Sequence, residues 1–203
     1  MQNHPGLFVS LESSDAAAGR LHNRLLAERL RAIGYQVTSF HFPQSNAISS
    51  HFVQRYQKGE YGPPDEISPY AAALFYGLDH FEAAGQIKTI LQKKGNIVLS
   101  DGYVAHNMSL QATKFQNQAQ QRGFFIWTDS LEFELLGVPR PKLSLVLTQS
   151  SPADKQLEST YRLLSELFPK DFRSVATARH SHRLNIAVIS NSLWELIQPL
   201  LPE

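Results

Sequence analysis

The sequence predicts an α/β fold in which five parallel strands form one sheet with helices on both faces. The chain has 203 residues, enough for one full core, and a globular composition of 42% hydrophobic and 18% charged residues. Short apolar runs alternate along it with segments of helical spacing, which is typical of a parallel sheet with helical crossovers. We therefore expect one domain over residues 1–203, with a binding crevice at the carboxyl ends of the strands.

Five segments are predicted to be strands. Residues 6–11 form an apolar run, and residues 35–42 alternate between apolar and polar with a period of two. Residues 96–100 are apolar enough to be buried on both sheet faces. Residues 143–147 and 185–189 are the fourth and fifth predicted strands.

Helices are predicted between these strands. The first carries apolar residues from Leu21 to Ile33 on one face and ends at Gly34, and Pro69 suits the first turn of a long helix. The other predicted helices cover residues 47–57, 69–94, 107–121, 127–136, 152–167 and, with Ser192 as N-cap, 192–201. The basic, histidine-rich segment 173–183 is predicted to be an exposed connection, and His180 and His182 are assigned no role.

Charge and composition exclude several kinds of partner. A formal net charge of +1 provides no field for a nucleic-acid backbone or an anionic membrane, so neither is expected as a partner. Without cysteine there is no disulfide, thiolate nucleophile or cysteine zinc site. No secretory signal or apolar membrane segment is recognisable, so we expect a soluble, cytoplasmic protein.

Several short motifs follow the predicted strands in a recognisable order. Residues 12–21 (ESSDAAAGRL) join the first strand to the first helix, Phe42-Pro43 ends the second strand, and Phe75 lies in the long helix. Residues 101–103 (DGY) end the third strand, and residues 109–112 (SLQA) and 137–147 (GVPRPKLSLVL) follow. In order and spacing these segments resemble thymidylate kinases over roughly residues 6–147.

The resemblance implies a P-loop NTPase-type three-layer α/β/α fold with a shortened lid around residues 148–157. It also implies a homodimer, and a kinase that transfers phosphate from ATP to dTMP with magnesium. It places the nucleotide at residues of the first loop and of the four segments after it: Ser13, Ser14, Ala18, Gly19, Arg20, Leu21, Phe42, Phe75, Tyr103 and Gln111.

The phosphate loop itself is altered. A P-loop uses glycines to curl its backbone around phosphate, a lysine as a point charge, and a hydroxyl to coordinate magnesium. Aligned without a gap, Ser13 and Ala18 replace glycines, Gly19 falls at the lysine, and Arg20 and Leu21 fall at the Ser/Thr pair. With a loop one residue longer, Arg20 falls at the lysine and Leu21 at the magnesium-binding hydroxyl.

Cations are also missing from the acceptor side, which is the part of the site that would bind dTMP. The family places arginines just after Phe-Pro, one helical turn beyond Phe75 and in the middle of Asp-Arg-Tyr, where this chain has Gln44, Asp79-His80 and Gly102. The expected arginine-rich lid, residues 148–157, contains no arginine. Asp15, Arg20 and Asp101 are therefore interpreted as relics of a catalytic site.

The residues that still resemble the family would bind a nucleoside rather than transfer a phosphate group. By resemblance, Phe75 would stack on a base, Gln111 would hydrogen-bond a pyrimidine edge, and Asp101 would hold a metal cation through water. The alternative interpretation makes Phe75 a core residue, Gln111 a solvated helix residue and Asp101 a strand-end cap.

Two hypotheses of function follow. The first is a catalytically degenerate thymidylate kinase-like subunit that binds a thymidine nucleotide or a protein partner, with a homodimer as one form of partner. The second is an active dTMP kinase that uses ATP and magnesium with Arg20, Lys93, Lys94 or an arginine from the tail in new positions.

Overall fold

A computed structural model describes residues 5–149, 155–179 and 182–202. Its centre is a parallel sheet in the order β2-β3-β1-β4-β5. The strands are β1 (Leu7–Ser13), β2 (Gln36–His41), β3 (Asn96–Asp101), β4 (Leu143–Thr148) and β5 (Phe172–Ala176). A two-stranded antiparallel ribbon, β6 (Ala178–Arg179) and β7 (His182–Arg183), follows β5.

Helices cover both faces of the sheet, and the predicted three-layer α/β/α architecture is confirmed. The helices are α1 (Ala16–Ala32), α2 (Ser50–Gln57), α3 (Pro69–Leu91), α4 (Val104–Ala112), α5 (Gln118–Asp129), α6 (Lys155–Leu167) and α7 (Ile186–Ile197), with a π-helical turn at Ser130–Leu135. Successive strand residues point to opposite faces. Leu7, Val9 and Leu11 therefore pack against α1 and α7, while Phe8 packs against α3 and α4.

The strand register brings three carboxyl ends together. Leu11 of β1 and His41 of β2 are both paired with Asp101 of β3. Glu12 follows Leu11, so the side chains of Glu12, His41 and Asp101 come from adjacent strands at the carboxyl end of the sheet. The predicted crevice lies at this end.

The predicted fifth strand was wrong. Residues 185–189 begin α7, whose N-cap Asn185 accepts a hydrogen bond from Ala187 N, and Ser192 lies inside that helix. Buried Ile189, Leu193 and Ile197 have helical spacing, which the short run 185–189 concealed. β5 lies instead largely in the segment 173–183 that was predicted to be an exposed connection. This edge strand is polar and has one buried residue, Val175, so it lacks the apolar run by which a strand is recognised.

The predicted helices 107–121 and 127–136 were also wrong in their bounds. α4 ends at Ala112, and Asn117 caps a new helix, α5, by accepting from Gln120 N. Pro69 does open α3, as predicted. The first residues of the predicted helix 152–167 and the centre of the predicted lid lie outside the described residues, as does His180. Within the described ranges, every helix is too short or too polar to span a membrane.

Candidate functional site

The connection between β1 and α1 consists of two residues, Ser14 and Asp15. Asp15 is the N-cap of α1, and its Oδ1 accepts hydrogen bonds from Ala17 N at 3.0 Å and Ala18 N at 3.1 Å. These N–H groups belong to the first helical turn, where a phosphate would otherwise find donors. The chain's own carboxylate therefore occupies the donors that a nucleotide phosphate would need.

A second carboxylate closes the same connection. Glu158 of α6 accepts from Ser14 Oγ at 3.1 Å through Oε2 and from Gln149 N at 3.1 Å through Oε1. Burial raises the pKa of Glu158. Arg20, the one cation of the predicted loop, is exposed on α1. Residues 13–21 thus form a strand end and a self-capped helix rather than a loop wrapped around an anion.

Asp101 is enclosed from two sides. Its Oδ2 lies 2.9 Å from Nδ1 of the half-exposed His41. A Cβ at Gly19 would lie 2.7 Å from Asp101 Oδ1, so a larger residue at position 19 requires the Asp101 side chain to move. The lysine that an ungapped alignment expects there would therefore displace the Asp101 carboxylate from its present position.

Glu12 and His106 are uncharged at neutral pH. Burial raises the pKa of Glu12 to about 8, with the Asp101 charge adding to the effect, and Tyr103 N donates to Glu12 Oε2 at 3.3 Å. Burial lowers the pKa of the partly buried His106 to about 4, and His106 Nδ1 lies 2.9 Å from Tyr161 OH. The side chains of Asp15, Asp101 and Glu158 thus lie at this end of the sheet, and Arg162 is the cation that acts on Glu158.

The residues present do not fit a magnesium ion. Magnesium needs a near-octahedral set of oxygen ligands. Leu21 has no hydroxyl, and the two Asp101 oxygens lie against His41 and Gly19. In the part of the chain that the structure describes, no group of three or more His, Asp or Glu side chains is arranged to hold a metal.

The acceptor-side positions that lack arginine contact each other. Gln44 N donates to Asp79 Oδ2 at 2.8 Å, and Ser49 Oγ donates to Asp79 Oδ1 at 3.1 Å. Asp79 is fully buried, and burial raises its pKa. The place of two cations is thus taken by a hydrogen-bonded pair that carries no positive charge.

Gly102, the third such position, adopts a left-handed conformation with φ of +69°. A Cβ there would lie 3.0 Å from the Phe42 carbonyl oxygen. An arginine at this position would therefore be strained by both its backbone angle and this contact.

Sequence reasoning missed a buried network beside these positions. His80 Nδ1 lies 2.6 Å from Glu132 Oε2, and Asn107 Nδ2 donates to Glu132 Oε1 at 2.9 Å. The three side chains come from α3, the π-helical turn and α4 and are at most 1% exposed. Phe42 and Tyr103, predicted to touch a nucleotide, pack beside His80 in the core.

The predicted base-binding residues lie in an aromatic cluster. Phe75 stacks on Phe52 with ring centroids 6.1 Å apart and contacts Tyr61 at 5.3 Å. Gln111 is fully buried rather than solvated, and its Oε1 accepts from Tyr56 OH at 3.2 Å. Among the described residues, Gln111 Nε2 has no hydrogen-bond partner.

The predicted residues therefore form two separate groups. Ser13, Ser14, Asp15, Ala18, Gly19 and Asp101 meet at the carboxyl end of β1, whereas Phe75 and Gln111 meet between α2, α3 and α4. An open depression of about 450 Å³ lies at the end of β2, and residues 13–21 do not line it.

Comparisons with known proteins find relatives in sequence and in fold. No protein-family model matches the chain. Thymidylate kinase of Mycobacterium tuberculosis is 28% identical over 148 residues, which cover 71% of this chain and 67% of that protein. Thymidylate kinase of Leifsonia xyli is 24% identical over 128 residues, 62% of this chain and 58% of that protein.

Solved structures share the fold. Thymidylate kinase of Ehrlichia chaffeensis aligns with a TM-score of 0.72 and 13% identity over 95% of this chain and 99% of that one. The Candida albicans enzyme aligns with a TM-score of 0.70 and 17% identity, covering 98% and 94%. The sheet order and flanking helices are thus those of a P-loop nucleotide kinase fold. Within that class, the chain is similar in sequence and in fold to thymidylate kinases.

Proposed function

We propose that this chain is a catalytically inactive member of the thymidylate kinase family that acts as a binding or regulatory subunit. The observation that supports this most directly is the connection at residues 13–21, which has no lysine, has Leu21 in place of the magnesium-binding hydroxyl, and ends in a helix capped by Asp15 itself. Phosphoryl transfer depends on positioning and on neutralising negative charge. Each missing cation costs roughly a hundredfold in rate, so the combined loss abolishes useful turnover.

An exposed apolar stripe on α3 supports a protein-binding role. Tyr70, Leu74, Leu78 and Phe81 follow one another at helical spacing, and each is between 41% and 53% exposed. Four large apolar side chains on one helix face form a patch of the kind that marks protein interfaces. We propose that a second copy of this chain covers it, forming a homodimer.

A retained nucleoside pocket is the second candidate function. Gln111 Nε2 is a buried donor without a described partner, beside Tyr56 and close to the ring cluster of Phe75. A buried donor without an acceptor costs free energy that a pyrimidine carbonyl would recover. Such a pocket would bind thymidine or dTMP without turning it over.

An activity assay tests the leading proposal. The purified chain at high concentration is incubated with ATP, magnesium and dTMP, and dTDP is quantified beside a sample without protein and a sample of an active thymidylate kinase. We expect no dTDP above the protein-free sample. Formation of dTDP at an ordinary enzymatic rate would establish the active kinase instead, with Arg20, Lys93 or Lys94 supplying the charge.

Thermal-shift titrations separate the two binding roles. A ligand that binds only the folded state raises the melting temperature. A rise with thymidine or dTMP but not with ATP supports the nucleoside pocket. Absence of any rise, together with a dimer in light scattering, leaves protein binding as the function.

A further inference from the structure

β2 lies at one edge of the sheet, and its outer backbone groups are exposed in a defined pattern. Gln36 N and Phe42 N donate to the β3 side, to Gly95 O and Asp101 O. Because neighbouring residues of a strand point their backbone groups to opposite sides, Val37, Ser39 and His41 direct theirs away from the sheet.

Two of these three outward residues have no outer backbone partner in the part of the chain that the structure describes. Val37 O accepts from Arg31 Nη2 at 2.8 Å. For Ser39 and His41, no backbone hydrogen bond is formed on the outer side by any residue that the structure describes. Two N–H and two C=O groups therefore stand in a row at the end of β2.

This edge lacks the usual protection against added strands. Natural edge strands carry charges, prolines or bulges that prevent pairing with another chain. β2 reads QVTSFH, with no charged residue and no proline, whereas the opposite edge strand, β5, carries the exposed Arg173. The last half of β2 thus has no lysine, arginine, acidic residue or proline that would oppose an added strand.

The open depression of about 450 Å³ lies directly beside these groups. Ser39 and His41 line it from the strand, and Gln44, Asn46 and Glu82 line it from the next loop and α3. Glu82 accepts from Ser49 N at 2.7 Å, which lowers its pKa and keeps it ionised at neutral pH. The charge of the lining favours a basic side chain.

We infer that the β2 edge binds an extended peptide segment of a partner protein by strand addition, with a lysine or arginine of that segment in the depression beside Glu82. Main-chain hydrogen bonds to Ser39 and His41 provide affinity, and the depression provides selectivity. The backbone edge of β2 is not part of the exposed stripe of α3, although Glu82 directly follows Phe81 of that stripe, so strand addition is an interaction beyond the proposed homodimer.

Fluorescence anisotropy with a defined probe tests the inference. The probe is a fluorescein-labelled seven-residue peptide of alternating threonine and valine with a central arginine, titrated with the full chain. We expect saturable binding. N-methylation of alternate amides in the probe removes its donors without touching the protein, and it is expected to weaken binding at least about tenfold.

Matched proline variants locate the site. Ser39→Pro removes an N–H that points away from β3, so the ladder is kept, and it is expected to weaken binding at least about tenfold. Ser174→Pro is the control on β5. Asp171 O accepts from Ser144 N and Thr177 N donates to Thr148 O, so the backbone groups of the odd-numbered residues face β4. The N–H of Ser174, an even-numbered residue, therefore points away from the sheet. Ser174→Pro is expected to leave the affinity unchanged.

Glu82→Gln tests the charge requirement. It is expected to weaken binding of the arginine probe about threefold to tenfold and to leave an otherwise identical alanine probe unaffected. Absence of binding to both probes, or equal losses in the two proline variants, would overturn the inference. So would light scattering in which Ser39→Pro alone dissociates a wild-type dimer, since β2 would then pair with its own copy. None of these results depends on kinase activity.

Discussion

Replacing Glu12 by glutamine is expected to flatten the pH dependence of this protein's stability. Glu12 is fully buried at the end of β1, and burial raises the pKa of its carboxyl from the usual 4.5 to about 8. The unfolded chain loses this proton near pH 4.5, whereas the folded chain keeps it until about pH 8. Stability contributed by the protonated carboxyl is therefore complete below pH 4.5 and is lost as the pH rises to about 8.

The size of the effect follows from the interval between the two pKa values. Each pH unit in it changes the free energy of unfolding by about 1.4 kcal/mol, so the total loss approaches about 5 kcal/mol at pH 8. In a domain of this length, about 1 kcal/mol shifts the melting temperature by roughly 2–4 °C. The melting-temperature difference between Glu12→Gln and wild type should therefore grow by about 10–20 °C between pH 4.5 and pH 8.

The assay is thermal or urea denaturation of both proteins between pH 4 and pH 9. The pKa of His106, which burial lowers to about 4, makes stability fall as the pH drops from 6.5, but both proteins share this effect. Glu28→Gln, which changes an exposed carboxylate on α1, is the control and should follow the wild-type profile. Parallel profiles for wild type and Glu12→Gln would refute the reasoning, since Glu12 would then titrate equally in the folded and unfolded chains.

Three further predictions test the site and the interface. Asp15→Ala should lower the free energy of unfolding by about 1–2 kcal/mol, whereas Asp15→Asn should retain the helix cap and the wild-type stability. Equal urea midpoints for wild type and both variants would show that the cap contributes nothing. Gly102→Arg should destabilise by roughly 1–3 kcal/mol without producing dTDP, and an unchanged midpoint would contradict the strain at this position. Leu78→Glu should convert the proposed dimer to a monomer in light scattering, whereas a monomeric wild type would remove that interface.

Local sequence patterns were sufficient for most of the fold. Four strands were predicted at nearly their observed positions, because β1, β3 and β4 are short apolar runs and β2 is alternating and ended by a proline. The helix after Pro69 was also predicted correctly. The absence of lysine or arginine at Gly19, Gln44, Asp79 and Gly102 is a fact of the sequence alone.

Two elements were assigned the wrong type of secondary structure because their local pattern was misleading. β5 buries one residue, Val175, at a polar edge, so it lacks the apolar run that identifies an inner strand. The run that begins at Asn185 is apolar over five residues, but it is the first turn of a helix whose buried positions continue to Ile197.

The state of the site was decided by tertiary structure. The sequence shows that cations are missing, but not that Gln44 bonds to Asp79, 35 positions away, or that Glu158 reaches Ser14, 144 positions away. Such pairs form because the sheet register and helix packing bring distant segments together. Local propensity governs which strands and helices form, whereas burial and the hydrogen bonds it requires determine which side chains fill the space between them.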